Sequence, residues 1–411
     1  MLSILINAYA CSPNMGSEPG MAWNWCTNLA KYCELHIITE GEFKDKIEAT
    51  VPSLPQGKNM HFYYNPVSED VRKMCWNQGD WRFYYYYKKW QKKTLEIAKE
   101  IVEKYPIDII HQLNMVGFRE PGYLWKIEKP FIWGPIAGIG NIPFSFLKDA
   151  KLKFKIFFLL KNRITQLQLQ YSKRVIAALK KANYIFTVSP EAKETIYKYH
   201  KIKTIPINET GCISPCLEKV PNKNKNFTIL WVGRFIYTKQ LQLALDTISQ
   251  IKHLGNIEFH IIGQSFNSQE SISYKKHATL LGIDHMCTWH GLIPHDKVLD
   301  MMKRTDLFFF TSIFEATSTV ILEAIENSLP ILCFNRCGFG PLIDSSIGYR
   351  IPLSTPQQSI NDFAEKITYL FNHRDVLKQM SENCRVRQEE LSWDNKAKQM
   401  VSLYEKVLSQ E

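Results

Sequence analysis

No run of eighteen apolar residues occurs in the 411-residue chain, so no segment reads as a membrane-spanning helix. Neither the Walker phosphate loop nor the glycine fingerprint of dinucleotide-binding folds is present, and there is no Asp-x-Asp metal motif. Low-complexity tracts, solenoid-type repeats and recognisable nucleic-acid modules are absent too. Met1-Leu-Ser-Ile-Leu-Ile-Asn-Ala lacks the basic residues that open a signal peptide and runs directly into a strand pattern, so a cytoplasmic protein is expected. Ten cysteines are scattered along the chain. Cys212 with Cys216 and Cys333 with Cys337 have a three-residue gap, but no set of His or Cys partners completes a zinc site, and reduced structural thiols are expected.

Acidic residues are scarce where basic ones are plentiful. Residues 1–211 hold 30 Lys and Arg against 19 Asp and Glu, whereas residues 212–411 hold 21 of each, so the net charge of +11 arises wholly in the first half. Lys148–Lys181 carries ten basic residues against Asp149 alone. Such a local excess implies an anionic partner at one place.

What the chain does have is 45% apolar content over a length too great for one ordinary core, which predicts two domains of roughly 200 residues each. In the first half, strand-like runs at 2–8, 35–40, 61–66, 107–113, 131–134 and 184–189 alternate with helical stretches such as 21–31 and 94–104. A second alternation follows, with strands at 228–233, 257–263, 288–291, 307–311 and 331–334, and helices at 241–253, 274–281, 296–303 and 320–327. This is the α/β signature of two doubly wound parallel sheets. The expected division is 1–210, a hinge at 211–226, 227–390, and a terminal helix in 391–411 that packs back toward the first domain. Two such domains in series are expected to face each other across a cleft. In open sheets ligands sit beyond the carboxyl ends of the strands, where the loops at 233–239, 263–266, 291–294 and 312–319 fall.

The stretch Ser312-Ile-Phe-Glu315-Ala-Thr-Ser-Thr-Val-Ile-Leu-Glu323-Ala324 spans a strand-to-helix turn. Thr317, Ser318 and Thr319 are N-cap candidates, and a helix start of this kind attracts phosphate. Glu315 and Glu323 are eight residues apart, which in helical geometry means roughly 12 Å of rise and about 80° of rotation. A glycoside hydrolase needs its carboxylates about 5–10 Å apart around one sugar ring. The spacing instead suits the two ends of a longer ligand with phosphate between them, a nucleotide sugar, and it also fits a capped amphipathic helix with two incidental Glu. Upstream, Gly233 permits close backbone approach, and Arg234 and Lys239 place two cations beyond a strand end, where they suit a diphosphate. His111 ends a strand, and its imidazole is expected to face the cleft rather than the core.

Val232-Gly-Arg234 with Lys239, Gly291 at a strand end, and Glu315-x7-Glu323 followed by Ala324 and Pro330 resemble the retaining glycosyltransferases of family 4, which have the GT-B fold. Gly16-Ser-Glu-Pro-Gly20-Met-Ala-Trp-Asn-Trp25, Phe118-Arg119 and Phe131-Ile-Trp-Gly134-Pro-Ile-Ala-Gly138 resemble a bacterial branch of that family that builds surface polysaccharides. The resemblance implies an acceptor-binding first domain and a second domain that binds a nucleotide-sugar donor. It implies that Glu315 contacts the donor sugar, Glu323 the ribose hydroxyls, and Arg234 and Lys239 the departing diphosphate, with His111 near the donor sugar. Donor-binding positions implied in the same way are Gly16, Gly233, Gly263, Leu292, Thr317, Ser318, Thr319 and Val320. The implied partners are a nucleotide-sugar donor and a glycan or lipid-linked acceptor, with no metal or organic cofactor and no nucleic acid. A nucleotide-sugar epimerase or hydrolase of the same fold, or a non-catalytic sugar-binding protein, remains the alternative. Ala316 stands where Gly is common in the family, so donor choice is open at that turn.

Phe154-Lys-Ile-Phe-Phe-Leu-Leu-Lys161 lies inside the basic stretch and reads as a basic amphipathic segment. Apolar area combined with positive charge favours an anionic leaflet. Peripheral contact with the inner face of the plasma membrane is therefore expected, and Trp81-Arg-Phe-Tyr-Tyr-Tyr-Tyr-Lys-Lys-Trp90 could add to it.

Overall fold

A strand buried on both faces needs an apolar residue at every position, and two of the strands here are nearly that. In Leu2–Ala8, Ile4, Ile6 and Ala8 belong to one core while Leu5 belongs to another. In Leu307–Phe310, Leu307 and Phe309 pack one way and Phe308 and Phe310 the other. Side chains alternate across a strand, so each sheet separates two cores. The computed structural model describes residues 1–77, 80–148, 150–219, 226–316 and 318–409.

Unit 1 comprises Met1–Ile139, Arg163–Thr210 and Trp393–Glu411. Its sheet is built from β1 (Leu2–Ala8), β2 (Cys33–Thr39), β3 (Met60–Tyr64), β4 (Ile109–Asn114), β5 (Phe131–Ile136), β6 (Tyr184–Thr187) and β7 (Ile205–Pro206), in the order β3-β2-β1-β4-β5-β6-β7. The pairings are parallel. Unit 2 comprises Gly140–Asn162 and Gly211–Ser392, so residues 140–162 group with it although they fall inside the expected span 1–210. Its sheet holds β8 (Phe227–Val232), β9 (Ile257–Ile262), β10 (Cys287–Gly291), β11 (Leu307–Phe310), β12 (Ile331–Phe334) and β13 (Gly348–Ile351), in the order β10-β9-β8-β11-β12-β13. Both sheets are of Rossmann-like doubly wound type. In each the strand order reverses beside the first strand, at β1/β4 and at β8/β11, where a crevice opens beyond the strand ends.

Two strands differ from the sequence expectation by being extra: β7, only two residues long, and β13, an edge strand that carries exposed Arg350. The helix expected at 94–104 begins at Arg82 instead. Phe83, Tyr87, Trp90, Thr94, Ala98 and Ile101 form its buried face, at helical spacing hidden within an aromatic run.

Three helices close the chain: Pro356–Asn372, Arg374–Glu390 and Trp393–Leu408. The last lies in unit 1, where Trp393 meets Trp25 edge-on at 5.4 Å and Ala397, Met400 and Tyr404 are fully buried. Of the stretch expected as a hinge, residues 220–225 lie outside the described residues. Before them the Cys212 N–H donates to the Leu391 carbonyl at 2.9 Å and the Leu217 N–H to that of Glu326 at 2.7 Å.

Candidate active site

The crevice between β8 and β11 is built by backbone first. Beyond β8 the Gly233 N–H donates to the Ile262 carbonyl at 3.0 Å, and beyond β9 the Gly263 N–H donates to that of Gly291 at 2.9 Å. A Cβ on Gly263 would lie 2.0 Å from the Gly233 carbonyl oxygen, so only glycine lets these two loops touch. The loop after β11 is fixed on both sides. The Ile313 N–H donates to the Thr238 carbonyl at 2.8 Å, and the Ala316 carbonyl accepts from the Gly338 N–H at 2.8 Å. Thr311 Oγ1 donates to the Lys239 carbonyl at 2.7 Å and accepts from Trp231 Nε1 at 2.9 Å.

This frame brings Lys239 and Glu315 together. Lys239 Nζ donates to Glu315 Oε1, and the Ser312 hydroxyl donates to the same oxygen at 2.8 Å. The two side chains are only 14% and 15% exposed, and the ammonium lies 5.1 Å from the centre of the Phe310 ring. An ion pair this sheltered is weakly screened by solvent, and removing one partner strands the other. Arg234, one residue past Gly233, is exposed.

The helix Thr319–Glu326 starts behind Ser318, whose side chain makes no capping bond. Its first turn carries no acid, so the positive end of its dipole is not neutralised from within. Thr317 lies outside the described residues. Val320 is partly buried and Thr319 exposed at this helix start. Glu323 has a partner of its own: its Oε1 is 3.2 Å from His295 Nε2. The two carboxylates therefore occupy separate environments. Leu292, after β10, is 81% exposed on the approach to His295.

Two expected residues belong to unit 1. His111 on β4 does not face open space as expected: it is fully buried, with Nε2 2.7 Å from the Gly134 carbonyl and Nδ1 2.6 Å from the Tyr404 hydroxyl. A carbonyl can only accept, so Nε2 carries the proton and Nδ1 accepts from tyrosine. Burial lowers its pKa to about 4. Strand alternation pointed this side chain at the terminal helix, a partner 293 residues away that local sequence does not reveal. Gly16 is exposed, in extended conformation before the helix Ser17–Leu29, with open space where a Cβ would go. The glycine that the turn requires is Gly20, whose Cβ would fall 1.7 Å from the Met15 carbonyl oxygen.

Sequence reasoning missed Ser312 and His295. Each stands at a strand-to-helix junction beside a singled-out Glu, and position beyond a strand end was the signal that could have found them. Among the described residues no cluster of three or more His, Cys, Asp or Glu is placed to hold a metal ion, and the ten cysteines form no disulfide.

Residues 217–387 match the family model described as Glycosyl transferases group 1. The chain is 24% identical over 216 residues to the GtfA subunit of the UDP-N-acetylglucosamine–peptide N-acetylglucosaminyltransferase of Streptococcus agalactiae, covering 49% of this chain and 41% of that protein. It spans less than half the length of the curated relatives it matches. Among solved structures, a glycosyltransferase from Rickettsia africae superposes with a TM-score of 0.60 at 17% identity, over 100% of this chain and 99% of that one. Anabaena HepE in complex with UDP superposes at 0.57 with 12% identity, over 99% and 100%. The fold is that of the GT-B glycosyltransferases.

Proposed function

We propose that the chain is a retaining glycosyltransferase of the family 4 type, which moves a sugar from a nucleotide-sugar donor to a glycan or lipid-linked acceptor in polysaccharide or glycolipid synthesis. The observation that carries this is the sheltered Lys239–Glu315 pair beside an uncapped helix start at the strand reversal of unit 2. A diphosphate arriving there meets a lysine already held in place, Arg234 at the rim, and backbone N–H groups at the positive end of a helix. In this reading Glu315 contacts the sugar, and Glu323, which is paired with His295, contacts the ribose. The bond from the anomeric carbon to the diphosphate breaks as the acceptor oxygen bonds to that carbon, and the departing phosphate takes the acceptor's proton. Lys239 and Arg234 stabilise the charge that grows on the leaving group, the largest single contribution in transfers of this kind. No metal is needed for this step. HepE, described with UDP, and the UDP-N-acetylglucosamine-dependent streptococcal relative favour a uridine donor.

We further propose a peripheral membrane contact through residues 151–160, where Leu152, Phe157 and Leu160 are 59–70% exposed among Lys151, Lys153 and Lys155.

The test is a screen of UDP-, GDP- and ADP-sugars for thermal stabilisation and for slow hydrolysis. One donor is expected to raise the melting temperature and be hydrolysed, and Lys239→Ala or Glu315→Ala should lower turnover at least about a hundredfold. Wild-type turnover in both variants would overturn the assignment.

A further inference from the structure

The loop after β4 carries a cation, Arg119, that pairs with no carboxylate among the described residues. It is pinned where the Ala137 N–H donates to the Val116 carbonyl at 2.7 Å and the Phe118 N–H donates to that of Ala137 at 3.4 Å. Arg119 then lays its guanidinium over the Phe118 ring, 4.8 Å from the ring centre. Its Nε donates to Gln168 Oε1 at 2.6 Å and its Nη2 to Thr165 Oγ1 at 2.7 Å. Both acceptors are neutral. Burial lowers the pKa of Arg119, opposed only by Tyr84. The acid beside it in sequence, Glu120, is committed to Arg174.

Beside Arg119 opens a cavity of about 430 Å³ lined by Tyr84, Arg119, Glu120, Gln168, Ser172 and Arg174. Two guanidiniums against one carboxylate leave one positive charge on the lining. A second feature adds to it. Ser172 is the N-cap of the helix Lys173–Lys181, yet its side chain makes no capping bond. That helix has no acid in its first turn and begins with Lys173 and Arg174, the reverse of what a helix dipole favours. A partly buried guanidinium, an uncapped helix start and a serine hydroxyl thus border one opening, and each is a donor suited to oxyanions.

We propose that this cavity binds an oxyanion, a phosphate or a carboxylate, carried by the acceptor. That the carrier is an acceptor rests on the transferase reading above; the anion chemistry does not. Arg119 grips the anion through the N–H groups not spent on Gln168 and Thr165, and Ser172 and the start of Lys173–Lys181 close the other side.

The probes are phenyl phosphate and glucuronate, titrated into the full chain by calorimetry at low salt, with circular dichroism as the folding control. At least one is expected to bind the wild type. Arg119→Gln should weaken it about tenfold or more, the loss expected for one charge-assisted pair. Gln168→Glu keeps the guanidinium but neutralises it from the side, and should weaken binding equally. Arg385→Ala, an exposed position on the helix Arg374–Glu390 of unit 2, should leave it unchanged. Preference for phenyl phosphate assigns a phosphorylated acceptor, and preference for glucuronate an acidic sugar. Binding that survives both unit 1 variants, or is lost equally in Arg385→Ala, overturns the proposal, as does a wild type that binds neither probe. Failure of the transferase reading looks different: Arg119-dependent anion binding would persist while no nucleotide sugar was turned over.

Discussion

At His111 the surroundings decide the protonation state, and that has a measurable consequence. The Gly134 carbonyl and the Tyr404 hydroxyl together require one neutral tautomer, and burial lowers the pKa to about 4, from 6.5 for the free side chain. As pH falls from 6.5 toward 4 the unfolded chain takes up a proton at this position and the folded chain does not, so stability declines with acid through that window. By pH 5 the loss is about 2 kcal/mol. Chemical denaturation of wild type and His111→Gln at pH 7.5 and pH 5 checks this, the variant being expected to lose less on acidification; equal losses would remove His111 as the cause. Sequence marked His111 as a strand-end histidine, whereas it is the third residue of the strand Ile109–Asn114, and its direction depended on a helix far along the chain. Glu315 and Lys239 were legible because residue type and position beyond a strand end are local properties. Ser312, which donates to the same Glu315 oxygen, is an ordinary loop serine until the turn is folded.

Strands and loops were legible wherever one periodicity dominated. All-apolar runs such as Leu307–Phe310 and Ile331–Phe334 could only be buried strands. The short strand Ile205–Pro206 carries too little pattern to stand out, and the first turns of Arg82–Lys104 were masked because its exposed positions, Tyr84, Tyr85 and Tyr86, are as aromatic as its buried ones. Contact between the loops after β8 and β9 was not legible at all, since it rests on missing atoms at Gly263. Gly263→Ala would drive a methyl against the Gly233 carbonyl oxygen, and the loop must shift to relieve it. The expected cost is about 1–3 kcal/mol, as for other overpacked sites. Thermal melts should show a clear drop, together with weaker stabilisation by the donor found in the screen. An unchanged melting temperature would mean the two loops part without cost.

For the whole molecule, composition gave the direction of the charge and structure gave its setting. The lysines at 151, 153 and 155 stand among Leu152, Ile156, Phe157 and Leu160, all strongly exposed. Replacing those three lysines by Glu should lower co-sedimentation with anionic vesicles about tenfold or more, because each cation near such a surface contributes about 1 kcal/mol. Unchanged co-sedimentation would remove the membrane contact. The division into units was only half legible, because unit 1 draws on three separate stretches of chain and unit 2 on two. The helix Trp393–Leu408 supplies Tyr404 to His111 and Trp393 to Trp25, so the core around the first strand is finished by a helix that follows the whole of Gly211–Ser392 in the chain. At roughly 5–20 residues per second, the segment Gly211–Ser392 delays that helix by about 10–40 s. Throughout that interval the nascent chain lacks the cover that Trp393, Ala397 and Met400 give to the apolar face of Ser17–Leu29.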